Sequence, residues 1–383
     1  MAKKKKMQRE IFITETNIIT PLGFDVATNI QNIENKISGI QLHDDKKFSE
    51  NPFFGAIIND EELDAAFGKI SSSSEFTRLE KMMILALHPI VKTVPNQKTA
   101  FLLSTTKGNI AELSTKNELP ESAYLQNLAK KIATFFNFKT EPIVISNACV
   151  SGILAVATAK RLIEANLYDD AYVIAGDEFS EFVFSGFSSF QALSDKPCKP
   201  YDSSRNGLNL GEATAAVYIT SDKSLAKKGD VKIIGDGAIN DANHISGPSR
   251  TGEGLVRSIE SAFKESGIQA SKIGYISAHG TATIYNDEME AIAFNRLGMK
   301  NVPLNSMKGF YGHTLGASGL LETVIGIESA RKNRLFVSLG FDEIGVSESV
   351  NIIAENQDSD IKYFLKTASG FGGCNTAVIF EKI

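Results

Sequence analysis

The stretch that most constrains this chain is 143–166, IVISNACVSGILAVATAKRLIEAN. Ile143 to Ile145 is a β-branched run that predicts a buried strand. Ile153, Leu154, Val156, Ala157, Ala159 and Leu162 supply apolar faces to a helix that starts near Val150. Cys149 therefore falls on the turn from strand to helix. There its side chain stands beside unpaired helix-start N–H groups, which favour a thiolate over a thiol and can also receive an oxyanion. Gly152 lets a second backbone approach the first helical turn closely. An isolated buried cysteine can equally be a small apolar core residue. Cys149 is thus a candidate nucleophile whose partners must be sought elsewhere in the chain.

A length of 383 residues with 43% hydrophobic content leaves room for a large core and two domain-sized halves. The formal charge is −5 and the basic residues are scattered, so no nucleic-acid footprint is expected. The opening MAKKKK leads into QREIFITET instead of an apolar signal region, and no later run reaches transmembrane length. A cytoplasmic protein without membrane association follows, its lysine tail reading as a solubilising end or as a contact for an anionic partner. Cys149, Cys198 and Cys374 are widely spaced with no CxxC pair, which argues against a disulfide framework and against a zinc site.

Strands are predicted at 10–14, 99–104, 171–175 (ended by Gly176), 213–219 and 231–235, and helices from the Pro21-Leu22-Gly23 turn to about Lys36, over 76–91 and over 122–136. Met82, Met83 and His88 in the second of these helices are expected to pack, and the charged segment 42–74 reads as a surface excursion. Between Glu178 and Arg205 a loop-rich segment carries Phe179, Phe182, Phe184, Phe187 and Phe190, which either pack in a core or dimer contact or line a tunnel. The polar connection SDKSLAKKGD is the expected boundary. Beyond it come helices over 253–265, 287–297 and 319–331, with strands at 273–278, 363–367 and 377–380. The glycine-rich turn 370–373 can bring backbone to a reaction centre. This succession suits two related α/β halves, 1–224 and 225–383, with helices packed on mixed sheets.

Cysteine chemistry needs a base or a charged neighbour. His43 sits in the charged excursion and His88 in an amphipathic helix, so both read as structural. His244 lies in the polar loop DANHISGPSRTGEG. His279 follows ISA where a strand is ending, and His313 follows KGFYG just before a glycine-bordered helix start. Two histidines at element ends plus one cysteine on a turn point to catalysis.

Five motifs in order across nearly the whole chain carry a resemblance: NACVSG at 147–152, PYDxxRNG at 200–207 with LGE at 210–212, AHGTAT at 278–283 with Asp287 and Glu290, NSMKGFYGHTLGASG at 305–319 with Glu322, and GFGGCN at 370–375. The chain resembles the β-ketoacyl-[acyl carrier protein] synthases of the thiolase superfamily, in the elongating Cys-His-His branch. That resemblance implies a thiolase-like five-layer α/β fold of two related halves and a decarboxylative Claisen condensation of an enzyme-bound acyl thioester with a malonyl thioester on acyl carrier protein. It implies that Cys149 carries the acyl chain with its thiol pKa lowered by the helix N-terminus, that His279 and His313 complete the triad, that Lys308 stands behind His313, and that Glu322 holds the network. Backbone N–H groups of Cys149 and Phe371 are the implied oxyanion donors. Thr281 and Thr283 bind the phosphopantetheine arm, Phe371 gates the acyl pocket, and Asp287 and Glu290 brace their loop, as carboxylates three apart at a helix start commonly do. Asp241, His244 and Pro248 correspond to an entrance loop.

No permanently bound cofactor and no metal are implied, since phosphopantetheine arrives with the carrier. A homodimer is expected, with strands running across the interface near 171–176, and carrier docking is expected on a basic patch that includes Arg205 and Lys107. Departures from the family pattern leave the triad intact: Thr14-Glu15-Thr16-Asn17 and Ser104-Thr105-Thr106-Lys107-Gly108 replace glycine-rich turns, Met307 replaces a small polar residue and Ser369 an aromatic. They bear on the acyl pocket and on the pathway, whether housekeeping fatty-acid synthesis or a specialised polyene or aryl-lipid product. The alternatives are a noncatalytic chain-length or scaffold subunit of a heterodimeric synthase, whose relatives lose the cysteine that this chain keeps, and thiolase-like acyl transfer.

Overall fold

The computed structural model describes residues 9–115, 119–242 and 247–383. The β-branched runs fall into one continuous sheet of ten strands, numbered here in chain order: β1 (Phe12–Ile19), β2 (Thr99–Ser104), β3 (Ile143–Ile145), β4 (Asp170–Asp177), β5 (Ala213–Thr220), β6 (Val231–Asn240), β7 (Tyr275–Ser277), β8 (Leu304–Asn305), β9 (Tyr363–Gly370) and β10 (Cys374–Lys382). From the middle outward, one half-sheet runs β1-β5-β4-β2-β3 and the other β6-β10-β9-β7-β8. In each half the first two pairings are antiparallel and the last two parallel. The second half therefore repeats the strand order and direction of the first. A short antiparallel contact, Phe12 with Lys232 and Ile13 with Val231, joins them.

The helices used below are α1 (Arg78–Leu87), α2 (Leu125–Phe135), α3 (Ser151–Glu164), α4 (Glu181–Ser189), α5 (Glu253–Ser266), α6 (Ile284–Arg296) and α7 (Ser318–Lys332). The two helices at the centre, α3 and α7, pack on each other and on strands of both half-sheets. Every residue of α7 from Ser318 to Ala330 is buried, as expected for a helix enclosed between two sheets. Helices α1 and α2 cover the outer face of the first half-sheet, and α5 and α6 that of the second. The layers alternate helix, sheet, helix, sheet, helix. Among the described residues no helix is long and apolar enough to cross a membrane.

Glycine sets the spacing at the centre. A Cβ on Gly152 would stand 2.7 Å from the Gly316 carbonyl oxygen, and one on Gly319 would stand 2.9 Å from Ile153 N. The close approach expected at Gly152 is thus the contact between α3 and the start of α7.

Several expectations are corrected. The 143–145 strand is half-buried, because it ends the sheet and has a strand on one side only. Strand β4 does not end at Gly176 but runs through Asp177, and it lies between β2 and β5, so both of its edges are already hydrogen-bonded and it cannot pair with a strand of a second copy. The charged segment 42–74 carries the strand Phe53–Ala56 and the helix Asp60–Phe67, and buries Phe53, Leu63 and Phe67. Its apolar residues are too sparse for periodicity, but each meets a partner distant in sequence. The loop-rich stretch after Glu178 contains α4, started by Ser180, whose hydroxyl accepts from Val183 N. His88 is exposed at the end of α1 while Met82 and Met83 are buried.

Candidate active site

The turn between β3 and α3 is built around a backbone conformation that L-residues rarely adopt. Ala148 has φ +44°. Ser151 holds this turn: its hydroxyl accepts from Asn147 N at 2.8 Å and donates to the Ala148 carbonyl at 2.6 Å. Cys149 is carried at the mouth of α3, with Val150 as the capping residue, and its thiol faces a cavity of about 350 Å³.

Opposite it stands His313. The short helix Lys308–Tyr311 ends at Gly312, and His313 then runs beside the segment 208–212: its N–H donates to Asn209 O at 2.7 Å, and its carbonyl accepts from Gly211 N at 3.1 Å. A Cβ on Gly211 would lie 1.9 Å from Tyr311 O, so the glycine of the LGE motif is what lets the two segments touch. His313 Nε2 is 3.2 Å from Cys149 Sγ. Its Nδ1 receives the backbone N–H of Leu315 at 3.2 Å. A backbone N–H can only donate, so the ring proton of neutral His313 sits on Nε2 and points at the sulfur.

His279 lies beyond the end of β7, in a loop gripped on both sides. Its N–H and that of Gly280 donate to Glu290 at 2.9 and 2.6 Å, and those of Thr281 and Ala282 donate to Asp287 at 2.8 and 3.1 Å. Tyr201, from the PYD motif, adds its hydroxyl to Glu290 and its N–H to Asp287. Lys308 Nζ donates to the His279 carbonyl at 2.5 Å and faces His279 Nδ1 at 3.4 Å. An ammonium group also only donates, which again leaves the ring proton on Nε2. Cys149 Sγ and one ring nitrogen of each histidine all lie within 4.8 Å of one another. That donor set could suit a zinc ion, but a metal-binding imidazole presents a bare nitrogen and donates from the other. Here the outer nitrogens accept, so the inner ones carry hydrogen.

Burial pushes the Cys149 thiol up to about 12, with Cys374 adding to the rise and the Lys308 ammonium opposing it. The lowered thiol expected from the helix start is therefore outweighed by desolvation. Burial, and then the Lys308 charge, hold the His313 imidazole well below the ordinary histidine range. Thiol and imidazole meet as neutral partners.

Thr281 and Thr283 line the same cavity, with their hydroxyls 2.8 Å apart, and so do Phe371, Phe187, Phe190 and Pro248. Phe371 stacks on Phe187 at a ring separation of 5.8 Å and is tilted against Phe190 at 5.5 Å. A Cβ on Gly370 would come 3.0 Å from Cys149 N, so the glycine-rich turn does press on the cysteine backbone. The arrangement offers a thiol, two imidazole N–H donors and a narrow aromatic approach.

The family profile described as "Beta-ketoacyl synthase, N-terminal domain" matches residues 8–224, and "Beta-ketoacyl synthase, C-terminal domain" matches 232–342. The chain belongs to the β-ketoacyl synthase family. The synthase is 26% identical to "3-oxoacyl-[acyl-carrier-protein] synthase 2" of Staphylococcus aureus over 98% of each chain. Its fold matches a chain of the solved complex "Ketosynthase (ApeO) in Complex with its Chain Length Factor (ApeC) from Xenorhabdus doucetiae", with a TM-score of 0.84, 24% identity and full coverage of both chains. The ishigamide ketosynthase/chain length factor is likewise similar, with a TM-score of 0.89 and 19% identity over 98% of this chain and 100% of that one.

Glu322, from α7, sits behind the synthase's imidazoles, 2.8 Å from Lys308 Nζ. Lys308 approaches the ring of His279, and its charge also acts on His313, as expected. Asp241 is tucked under the last turn, its N–H donating to Gly373 O at 2.7 Å, and His244 lies outside the described residues. Arg205 donates to the carbonyls of Asp202, Gly345 and Ile284, and those bonds brace the 202–207 turn.

Sequence reasoning missed two residues here. Asp177 takes the hydroxyls of Thr105 and Thr106 and the N–H of Gly316, tying the 105–107 turn to the segment after His313. Lys366 is wholly buried beside Glu322. A lone lysine in the apolar run YFLKTASG was its available signal, since such a lysine needs a buried acid.

Proposed function

We propose that this synthase performs decarboxylative Claisen condensation: a growing acyl chain held on Cys149 is extended by two carbons from malonyl acyl carrier protein. The observation that carries the reading is the convergence of two Nε2–H donors on the thiol of Cys149. In the first half-reaction the sulfur of Cys149 attacks the acyl thioester, its S–C bond forms as the carrier's S–C bond breaks, and the thiol proton ends on the departing pantetheine sulfur. A thiol held near 12 favours this proton-neutral exchange over standing as a free thiolate. In the second, the bond between the malonyl methylene and its carboxylate breaks and carbon dioxide leaves. The electron pair moves into an enolate whose oxygen accepts from His279 and His313, two donors preorganised in a dry site. The enolate carbon then attacks the Cys149 thioester. Backbone N–H groups of Cys149 and Phe371 take the tetrahedral oxyanion, and the Cys149 sulfur leaves as a thiolate that takes its proton from solvent water. Thr281 and Thr283 hold the pantetheine arm, Phe371 gates the acyl chain, and Lys308, Glu322, Asp287 and Glu290 hold the histidines.

We further infer that the two halves are residues 1–224 and 225–383, that the carrier delivers both thioesters, and that β3, the end strand of the sheet, is the natural edge for pairing with a second copy. The ketosynthase relatives solved with chain length factors make a synthase-like partner the second option for that edge.

The test is to incubate the purified chain with a panel of acyl and malonyl carrier proteins and to follow enzyme and carrier by intact mass. The expected result is an acyl adduct lost in Cys149→Ala and a 3-oxoacyl carrier product two carbons longer. If both events appear only after a second synthase-like chain is added, the chain works as half of a heterodimer; if neither appears even then, the condensation reading fails.

A further inference from the structure

Behind the two imidazoles lies a buried charge cluster that the chemistry above uses only in part. Glu322 has one carboxylate oxygen 2.8 Å from Lys308 Nζ and the other 2.6 Å from Lys366 Nζ. Both lysine side chains are fully buried. Lys366 comes from β9, directly opposite Ser277 in the parallel register with β7. Its ammonium also donates to the carbonyls of Ser277 and Ala278 at 3.2 Å each. Lys308 takes the next carbonyl, that of His279. Two lysines bridged by one glutamate thus grip three successive carbonyls, while Glu290 and Asp287 hold the N–H groups of 279–282 from the other side.

An apolar residue at 366 would suit a strand buried in the sheet at far lower desolvation cost. The ammonium is retained against that cost, and against repulsion from Lys308, with Glu322 as its main support; burial first, and then Lys308, draw its pKa below the ordinary lysine range. What the second lysine changes is the freedom of Glu322. With one oxygen committed to Lys366, the carboxylate cannot swing to take Lys308 with both, and Lys308 stays against His279.

We propose that Lys366 is a positioning residue for the decarboxylation step: it fixes Glu322 and the end of β7 so that Lys308 remains on Nδ1 of His279 and the His279 proton remains on Nε2, facing the enolate oxygen. This rests on the condensation reading above. Acylation of Cys149, as written above, assigns no step to His279, whereas decarboxylation uses its Nε2–H, so the two half-reactions respond differently to the loss of Lys366.

The test uses the full chain carrying Lys366→Met and, separately, Lys366→Gln. Release of carbon dioxide from malonyl carrier protein without primer is compared with acylation of Cys149 followed by intact mass. The expected result is a 10- to 100-fold fall in kcat for decarboxylation, a change of less than about threefold in KM for malonyl carrier, and acylation within about threefold of the unsubstituted chain. The pH profile separates positioning from packing. The charged groups facing Lys366 are Glu322, Lys308 and, farther off, Glu290, so removing one of two ammonium groups moves the alkaline limb of decarboxylation to higher pH. Unchanged decarboxylation, or an equal loss of both half-reactions with an unmoved limb in either variant that folds, overturns the proposal, as does a misfolded product from both variants, which would make the role purely structural. If the unsubstituted chain itself neither acylates nor decarboxylates, the failure belongs to the condensation reading.

Discussion

Replacing Gly152 with alanine puts a methyl group into the contact between the two central helices. The added carbon would stand 2.7 Å from Gly316 O, 2.9 Å from Leu320 N and 3.1 Å from Leu320 Cβ. Two of these neighbours are backbone atoms, so no side-chain rotation relieves the clash. Reaching ordinary contact requires a separation on the order of 0.7 Å between the first turn of α3 and the start of α7. Cys149 precedes that turn and His313 precedes that start, so the separation acts on the 3.2 Å contact between them. Overpacking of this kind costs about 1–3 kcal/mol, which for a chain of this size lowers the melting temperature by roughly 1–4 °C. Misplacing reacting groups by about 1 Å costs on the order of 100-fold in rate, so Cys149 acylation should fall roughly 10- to 100-fold. The assay is the rate of mass gain from acyl carrier protein, with a thermal melt beside it. Gly186→Ala is the control, because a Cβ there meets nothing within 4 Å and alanine improves a helix interior by about 1 kcal/mol. Acylation and melting unchanged in Gly152→Ala would refute the claim that this contact sets the cysteine's position.

A thiol pushed up to about 12 keeps its proton from pH 7 to 10, so alkylation of Cys149 by iodoacetamide should rise about tenfold per pH unit across that range; a plateau near pH 8 would mean that the helix start outweighs burial. In Glu290→Gln an amide NH₂ must replace an oxygen that now accepts a backbone N–H, that of His279 or that of Gly280, so stability should drop by about 1–3 kcal/mol in urea titration, with a fall in decarboxylation kcat. Arg78→Met strands the buried Glu212 carboxylate, which Arg78 holds through two bonds of 2.6 Å; a loss of about 3–5 kcal/mol is expected from the same titration, and a loss below about 1 kcal/mol would show that water replaces the arginine.

What could be read from the sequence was what local chemistry decides. The strand, turn and helix around Cys149 follow from β-branched residues giving way to small and apolar ones within a few positions, and His279 and His313 announce themselves at element ends. The halves were legible because each repeats the order of its elements, although no residue pattern states that β1 and β6 meet at the middle. Pairing between distant strands was not legible, which is why no residue pattern shows that β4 is an interior strand. The thiol pKa is illegible for a similar reason: the helix start is visible in the sequence, whereas the burial that raises the thiol is set by tertiary packing. Phe179, Phe184 and Phe53 look like members of a loop and an excursion until they are seen packed together, with ring centroids 5.9 Å or less apart.

Four non-glycine residues with positive φ border the site: Ala148, Tyr201, Ala282 and Leu315. Such conformations cost on the order of 1–3 kcal/mol each and persist only where surrounding contacts over-determine them. Each one here has a polar anchor of its own. Ser151 holds Ala148, Asp287 and Glu290 hold Tyr201, Asp287 also holds Ala282, and Nδ1 of His313 holds Leu315. The last anchor works in both directions, since the N–H that supports the strained Leu315 also sets the tautomer that aims His313 at Cys149. Removing an anchor therefore releases strain as it breaks a bond, and the two effects on stability partly cancel. Their effects on geometry do not cancel, because the relaxed loop no longer points its side chain at the thiol. Ser151→Ala should accordingly lower Cys149 acylation by more than its change in melting temperature would suggest, at least tenfold for a shift of about 3 °C or less. Acylation falling only in proportion to lost folded protein would show that the turn at Ala148 is a structural feature alone.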